Sequence, residues 1–137
     1  MNKEECIFCK IIRKEIPSKI IFEDDKNLAF LDINPISEGH SLIILKNHYE
    51  TLENIPDKDL INLFQVVRDI AKKIFEKLNI DGYHILQNNY KAAGQEVNHF
   101  HIHIIPRKEG DNKIKLNLPE RGASEESLNN ILEKLKS

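Results

Sequence analysis

The chain has 137 residues, 20 basic and 22 acidic, for a formal net charge of −2 at pH 7. That balance exerts no long-range pull on a polyanion, so it argues against duplex nucleic acid as a partner; a small phosphorylated ligand needs only local donors. Hydrophobic residues make up 40% and charged residues 31%, which suits one globular domain, residues 1–137, able to bury about two thirds of its unfolded surface.

The first ten residues, MNKEECIFCK, carry acidic groups and no long apolar region, so they do not read as a signal peptide. No apolar run reaches the length of a membrane span. The expected location is the cytoplasm, where two cysteines are not expected to form a structural disulfide. Residues 5–14 predict a short helix with Ile7, Phe8, Ile11 and Ile12 as its apolar stripe, ended by Ile16-Pro17. KIIFEDD (19–25) and NLAFLDI (27–33) predict two strands joined by a turn. NPISEG (34–39) is loop, and HSLIILK (40–46) predicts a buried strand.

Residues 57–79 predict a long helix, with Asp57 as its N-cap after Pro56. Leu60, Leu63, Phe64, Val67, Ile70, Ala71, Ile74, Phe75 and Leu78 fall on one stripe of period 3.6. This helix is expected to lie across one face of the sheet. GYHILQNN (82–89) predicts a strand, and YKAAGQEV (90–97) a loop with a glycine hinge. HFHIHIIPR (99–107) predicts a strand stopping near Pro106, which cannot donate to a ladder. SEESLNNILEKLKS (124–137) predicts an amphipathic helix; its capping box begins at Ser124 and places Ser127 where Glu is preferred. The expected fold class is α+β, an antiparallel sheet of about five strands with helices on one side.

Half of the six histidines sit at alternate positions, His99, His101 and His103. In a strand such residues share a face, while Phe100, Ile102 and Ile104 point into the core. The outer two are then about 13 Å apart, too far for all three to close on one metal. The row offers separate tasks along one groove, or it is simply a polar face rich in histidine. Cys6-Ile-Phe-Cys9 alone reads equally as half a zinc site, a redox pair or two small buried residues. The redox reading lacks a βαβ context. Zinc requires two further ligands, with His40, His48, His84 and His99 as candidates. Asp32 reads as a turn residue before Asn34-Pro35, Asn88 as a strand-end residue, and Ile7, Phe8, Ile11 and Ile33 as core. His84 receives no function.

His99-Phe-His101-Ile-His103-Ile-Ile resembles the signature of the histidine-triad (HIT) family, in which apolar residues alternate with the three histidines. CIFCKIIRKEIPSKIIFEDD, FLDINP (30–35), GHSLIILKNH (39–48) and GYHILQNN…AGQEVNHFHIH (82–103) resemble further blocks of that family, over about residues 5–107. Residues 108–137 add no resemblance. The front resembles the nucleoside phosphoramidase branch; AGQEVNHFHIHIIPRK is closer to the dinucleoside polyphosphate hydrolases. The resemblance implies a HIT-like fold and hydrolysis at the α-phosphate of a purine, AMP-type nucleotide through a covalent nucleotidyl-histidine. It implies His101 as nucleophile, His103 on the phosphate, and His40 and Gln95 in support. Asp32 would hold the ribose hydroxyls, and Asn88 the phosphate or ribose. Gly94, Gln95, Glu96 and Val97 would form the phosphate loop; Ile7, Phe8, Ile11 and Ile33 would frame the base. In a subset of bacterial members the matching residues, here Cys6, Cys9, His48 and His99, bind a structural Zn2+. The resemblance also implies a homodimer through the long helix and a sheet edge. The alternative is a nucleotide-binding or scaffold protein with little turnover.

Overall fold

A computed structural model describes residues 5–137. In chain order the elements are α1 (Ile7–Ile12), β1 (Ile20–Glu23), β2 (Asn27–Leu31), β3 (Ser41–Leu45), α2 (Asp57–Lys77), β4 (Gly82–Leu86), β5 (His101–Arg107) and α3 (Glu125–Lys136). The strands form one antiparallel sheet in the order β1-β2-β3-β5-β4.

β3 is buried along its whole length, and β2 over Asn27–Phe30. Strands of this kind need cover on both faces, and they receive it. Ala29, Ile43, Leu45, Ile102 and Ile104 pack with Leu63, Val67, Ile70 and Ile74 of α2. Leu28, Phe30, Leu42 and Ile44 on the opposite face pack with Phe8, Cys9 and Ile11 of α1. The expectation of helices on a single side is therefore corrected. The histidine face is not a solvated polar face either, because His99 and His101 are buried beneath α1.

Two details of α2 also differ from expectation. Pro56, at φ −60° and ψ 148°, occupies the cap position, and Asp57 is the first helical residue. The Pro56 carbonyl accepts the first helical bond, from Leu60 N at 3.0 Å. The buried row contains Val66, while Phe64, Phe75 and Leu78 are exposed. The apolar stripe is wider than the sheet can cover.

The β5 ladder begins at His101 and continues through Pro106 to Arg107. β3 ends its pairing at Ser41 opposite Ile104, so beyond that point β5 has lost its β3 neighbour. The Pro106 carbonyl accepts from Ser37 Oγ at 2.6 Å on the side that β3 has left. Its missing N–H faces the same side, which explains why proline is tolerated here. Gly39, at φ +89°, closes the same corner; an added Cβ would lie 2.4 Å from Leu78 Cδ1. A larger residue would have to push the Leu78 side chain aside and would be strained at this positive φ. α3 is capped by Ser124, whose side chain accepts from Ser127 N. Its apolar residues Leu128, Ile131, Leu132 and Leu135 are all exposed.

Candidate active site and metal centre

Hydrogen bonds fix the tautomer of each histidine, Nε2–H for His99 and His103 and Nδ1–H for His101. A carbonyl only accepts, so the ring nitrogen facing it carries the proton. His99 donates from Nε2 to the Leu45 carbonyl at 2.8 Å, which leaves the Nδ1 lone pair facing Cys6 Sγ at 3.4 Å and Cys9 Sγ at 3.6 Å. His101 donates from Nδ1 to the His99 carbonyl at 2.7 Å, leaving a lone pair on Nε2. His103 is set through His40. The Ile36 N–H donates to His40 Nδ1 at 3.1 Å, so a neutral His40 carries its proton on Nε2 and donates to His103 Nδ1 at 2.9 Å. His103 then keeps its proton on Nε2.

All these rings are held neutral by the same cause. Burial lowers His101 and His40 below the ordinary imidazole value and pushes His103 down to about 4. The burial of His40 outweighs the pull of Asp32, whose carboxylate stands 3.5 Å from His40 Nε2. Among neutral rings the hydrogen-bond pattern, not charge, assigns the roles.

His101 and His103 open onto a cavity of about 450 Å³. Ile7, Phe8, Ile11 and Ile33 form its apolar wall, Asp32 and Asn88 contribute polar groups, and Gly94, Glu96 and Val97 form the loop side. Ile33 is 83% exposed, so the plain core reading does not apply to it. Phe8 and Ile11 serve both core and cavity. Asp32 combines both of its readings. Its Oδ1 accepts from Asn34 N at 2.8 Å, as a turn residue does, and its Oδ2 faces His40.

Two expected residues stand away from the cavity wall. His40 lies behind His103. Gln95 is buried, and its side chain is committed to backbone: Oε1 accepts from Tyr90 N at 2.7 Å, while Nε2 donates to the Glu50 carbonyl at 2.7 Å and the Val97 carbonyl at 3.1 Å. It pins the loop to the segment that follows His48 and does not present its amide to the cavity. Sequence reasoning missed the parts played by the Ile36 amide and the Ser37 hydroxyl. Only the Gly39-His40 pair hinted that this loop was under constraint.

The second site lies under α1. Cys6, Cys9, His48 and His99 place their ligand atoms within 4.8 Å of one another. His48 Nδ1 is 3.2 Å from Cys9 Sγ. Tetrahedral zinc with ordinary bond lengths sets sulfur-to-nitrogen edges of about 3.5 Å, and the observed edges of 3.2, 3.4 and 3.6 Å fit. The His99 bond to the Leu45 carbonyl is the outer partner such a ligand requires. Asp32, His40 and His103 also cluster, but His40 and His103 spend their facing nitrogens on each other.

Residues 13–110 match the family described as HIT domain. The chain belongs to the HIT family. An adenosine 5′-monophosphoramidase of Candida albicans is 42% identical over 135 residues, covering 96% of this chain and 89% of that relative. A crystal structure of a HIT family member from Bacillus subtilis superposes with a TM-score of 0.90 at 37% identity, over 96% of this chain and 95% of that one. A zinc-bound histidine triad family protein from Mycobacterium smegmatis superposes with a TM-score of 0.77 at 36% identity, over 98% of both chains. These HIT likenesses run past residue 110, beyond the blocks legible in the sequence.

Proposed function

We propose that this protein hydrolyses AMP-type nucleotides at the α-phosphate, with His101 as the nucleophile. The observation that carries this reading is the 2.7 Å bond from His101 Nδ1 to the His99 carbonyl, which frees the Nε2 lone pair beside the His103 N–H donor. In the first step Nε2 donates its pair to phosphorus. The bond from phosphorus to the leaving nitrogen or oxygen breaks, its electron pair stays with the leaving atom, and that atom takes up a proton from solvent water, to which the second step returns one. In the second step water attacks phosphorus, the bond to Nε2 breaks with its pair returning to the ring, and the proton of the water is released. The His103 N–H meets the charge on the phosphate oxygens. Asp32 accepts from the ribose hydroxyls, the apolar wall takes the base, and the backbone amides of Glu96 and Val97 face the phosphate. His40 and Gln95 are positioning residues: one sets the His103 tautomer and the other holds the loop. The name of the Candida albicans relative supports adenosine phosphoramidates as substrates.

Cys6, Cys9, His48 and His99 would hold a zinc ion, as the zinc-bound relative supports. Four protein ligands leave no open position, so the ion would supply structure alone.

The test of function is AMP release from adenosine 5′-phosphoramidate and from diadenosine tetraphosphate under single-turnover conditions. Turnover of the phosphoramidate with formation of a nucleotidyl-His101 adduct is expected. Tight AMP binding with no turnover of either compound would overturn the reading.

The protein is further proposed to be a homodimer. β4 is a sheet edge, Tyr83 and Ile85 on it are exposed, and the Tyr83 ring meets that of the exposed Phe75 of α2 at a centroid distance of 6.2 Å. Such an apolar edge is an invitation to pairing. Light scattering is expected to give twice the 15.9 kDa of one chain, and Phe75→Glu to shift it toward the monomer. A wild-type mass of one chain at micromolar concentration would refute this.

A further inference from the structure

We propose that Glu96 selects the leaving group, favouring amines that carry a further positive charge and disfavouring anionic ones such as a polyphosphate. The proposal rests on the nucleotide-hydrolase reading above and names which substrates of that class the site prefers.

The cavity is unusual for one that receives a phosphate. Among the described residues its wall contains two carboxylates, Asp32 and Glu96, and neither lysine nor arginine. The His103 imidazole that would meet the phosphate oxygens is held neutral by burial. A single phosphate charge can be met by the His103 N–H and loop amides, which are neutral donors. Several further negative charges find no cation among the described residues of this wall.

The two carboxylates are not equivalent. Asp32 is engaged by Asn34 N and faces His40, at the ribose end. Glu96 is exposed, and among the described residues no hydrogen bond or ion pair engages its carboxylate. It lines the same cavity as the His101 ring. Glu96 and Gly94 also belong to an adjoining recess that includes Lys91 and Asn98. Gly94 and Glu96 border both the cavity and that recess, so a nucleoside seated on the apolar wall would direct the group leaving phosphorus past them. A cation there meets an uncommitted carboxylate, and an anion meets repulsion. Lys91 is the competing feature: if it governs the recess, the preference is reversed.

The magnitude follows from charge. At about 4 Å in water one charge pair changes an equilibrium about fivefold, so a cation and an anion compared at the same place differ by about 25-fold. Specificity of this kind is a difference between two affinities, and repulsion contributes as much as attraction.

The experiment uses three adenosine 5′-phosphoramidates of matched length, made from 1,3-diaminopropane, propylamine and β-alanine. Their free ends are cationic, neutral and anionic. The wild-type protein is expected to rank kcat/KM in that order, with an extreme ratio of about 25-fold that shrinks as salt screens it. Glu96→Gln should compress the ratio to within about threefold, and Glu96→Asp should restore part of it. Lys91→Gln should leave the order intact. Equal rates in the wild type, or an order that survives Glu96→Gln, would overturn the leaving-group proposal alone. A preference for the anionic compound that disappears in Lys91→Gln would also overturn it. Failure to turn over any of the three would overturn the hydrolase reading, and this proposal with it.

Discussion

Replacing His101 with asparagine is expected to reduce single-turnover hydrolysis of an adenosine phosphoramidate by about 10⁴- to 10⁶-fold, the range typical of losing a nucleophile. Asparagine is the informative choice. His101 is buried, and its Nδ1–H satisfies the His99 carbonyl at 2.7 Å. An alanine would leave that carbonyl without its donor, a cost of about 1–3 kcal/mol. The asparagine amide can still donate to it while offering phosphorus no lone pair. Phe8, whose ring meets His101 edge-on at a centroid distance of 5.0 Å, loses part of its contact, but the core beneath α1 is otherwise intact. AMP affinity is therefore expected to stay within about tenfold, since binding rests on the wall and loop. Circular dichroism and calorimetric AMP titration check that the variant is folded and binds. Turnover within tenfold of wild type in such a variant would refute nucleophilic catalysis by His101. A covalent adduct detected by mass spectrometry in the wild type and absent from the variant would support it.

The alternation at 99–103 was enough to place three histidines on one side, because side-chain direction in extended chain depends only on local parity. The division of labour among them was not legible. It depends on which carbonyl or ring each nitrogen meets: His101 turns to the nearby His99 carbonyl, whereas the partners of His99 and His103 are Leu45 and His40, remote in sequence and brought close by the pairing of β3 with β5. The same holds for the layers. The apolar runs of β2 and β3 gave no sign of which helix would cover which face, and the six-residue α1 is too short for its periodicity to decide. For α2 the period was right and the width was not: Phe64 and Phe75 extend the stripe past the edge of the sheet. Gln95 shows a different limit. A polar residue in a phosphate loop reads as a ligand group, yet its amide is worth more to the protein holding Tyr90, a non-glycine residue at φ 72°, in place.

Chelating the metal proposed for the Cys6, Cys9, His48 and His99 site is expected to lower the melting temperature by about 12–20 °C. An ion present at about a thousand times its dissociation constant stabilises the folded chain by about 4 kcal/mol, and in a domain of this size each kcal/mol moves the midpoint by about 3–5 °C. The four ligands explain why so much would depend on the ion. Cys6 and Cys9 belong to the α1 segment, His48 follows β3, and His99 precedes β5. The ion would therefore hold α1 onto the face that carries His101, with Phe8 against that ring. Loosening α1 should weaken nucleotide binding as well as stability. Cys6→Ser separates the ion from the helix. The Cys6 side chain caps α1 by accepting from Cys9 N at 3.4 Å, and serine is among the preferred caps, so this variant keeps the cap while losing a thiolate ligand. It should lose the metal by mass spectrometry and melt near the chelated wild type. If instead it melts with the untreated wild type, or the purified wild type carries no metal and ignores the chelator, the four side chains are a packed cluster and α1 is held by Phe8 and Ile11 alone.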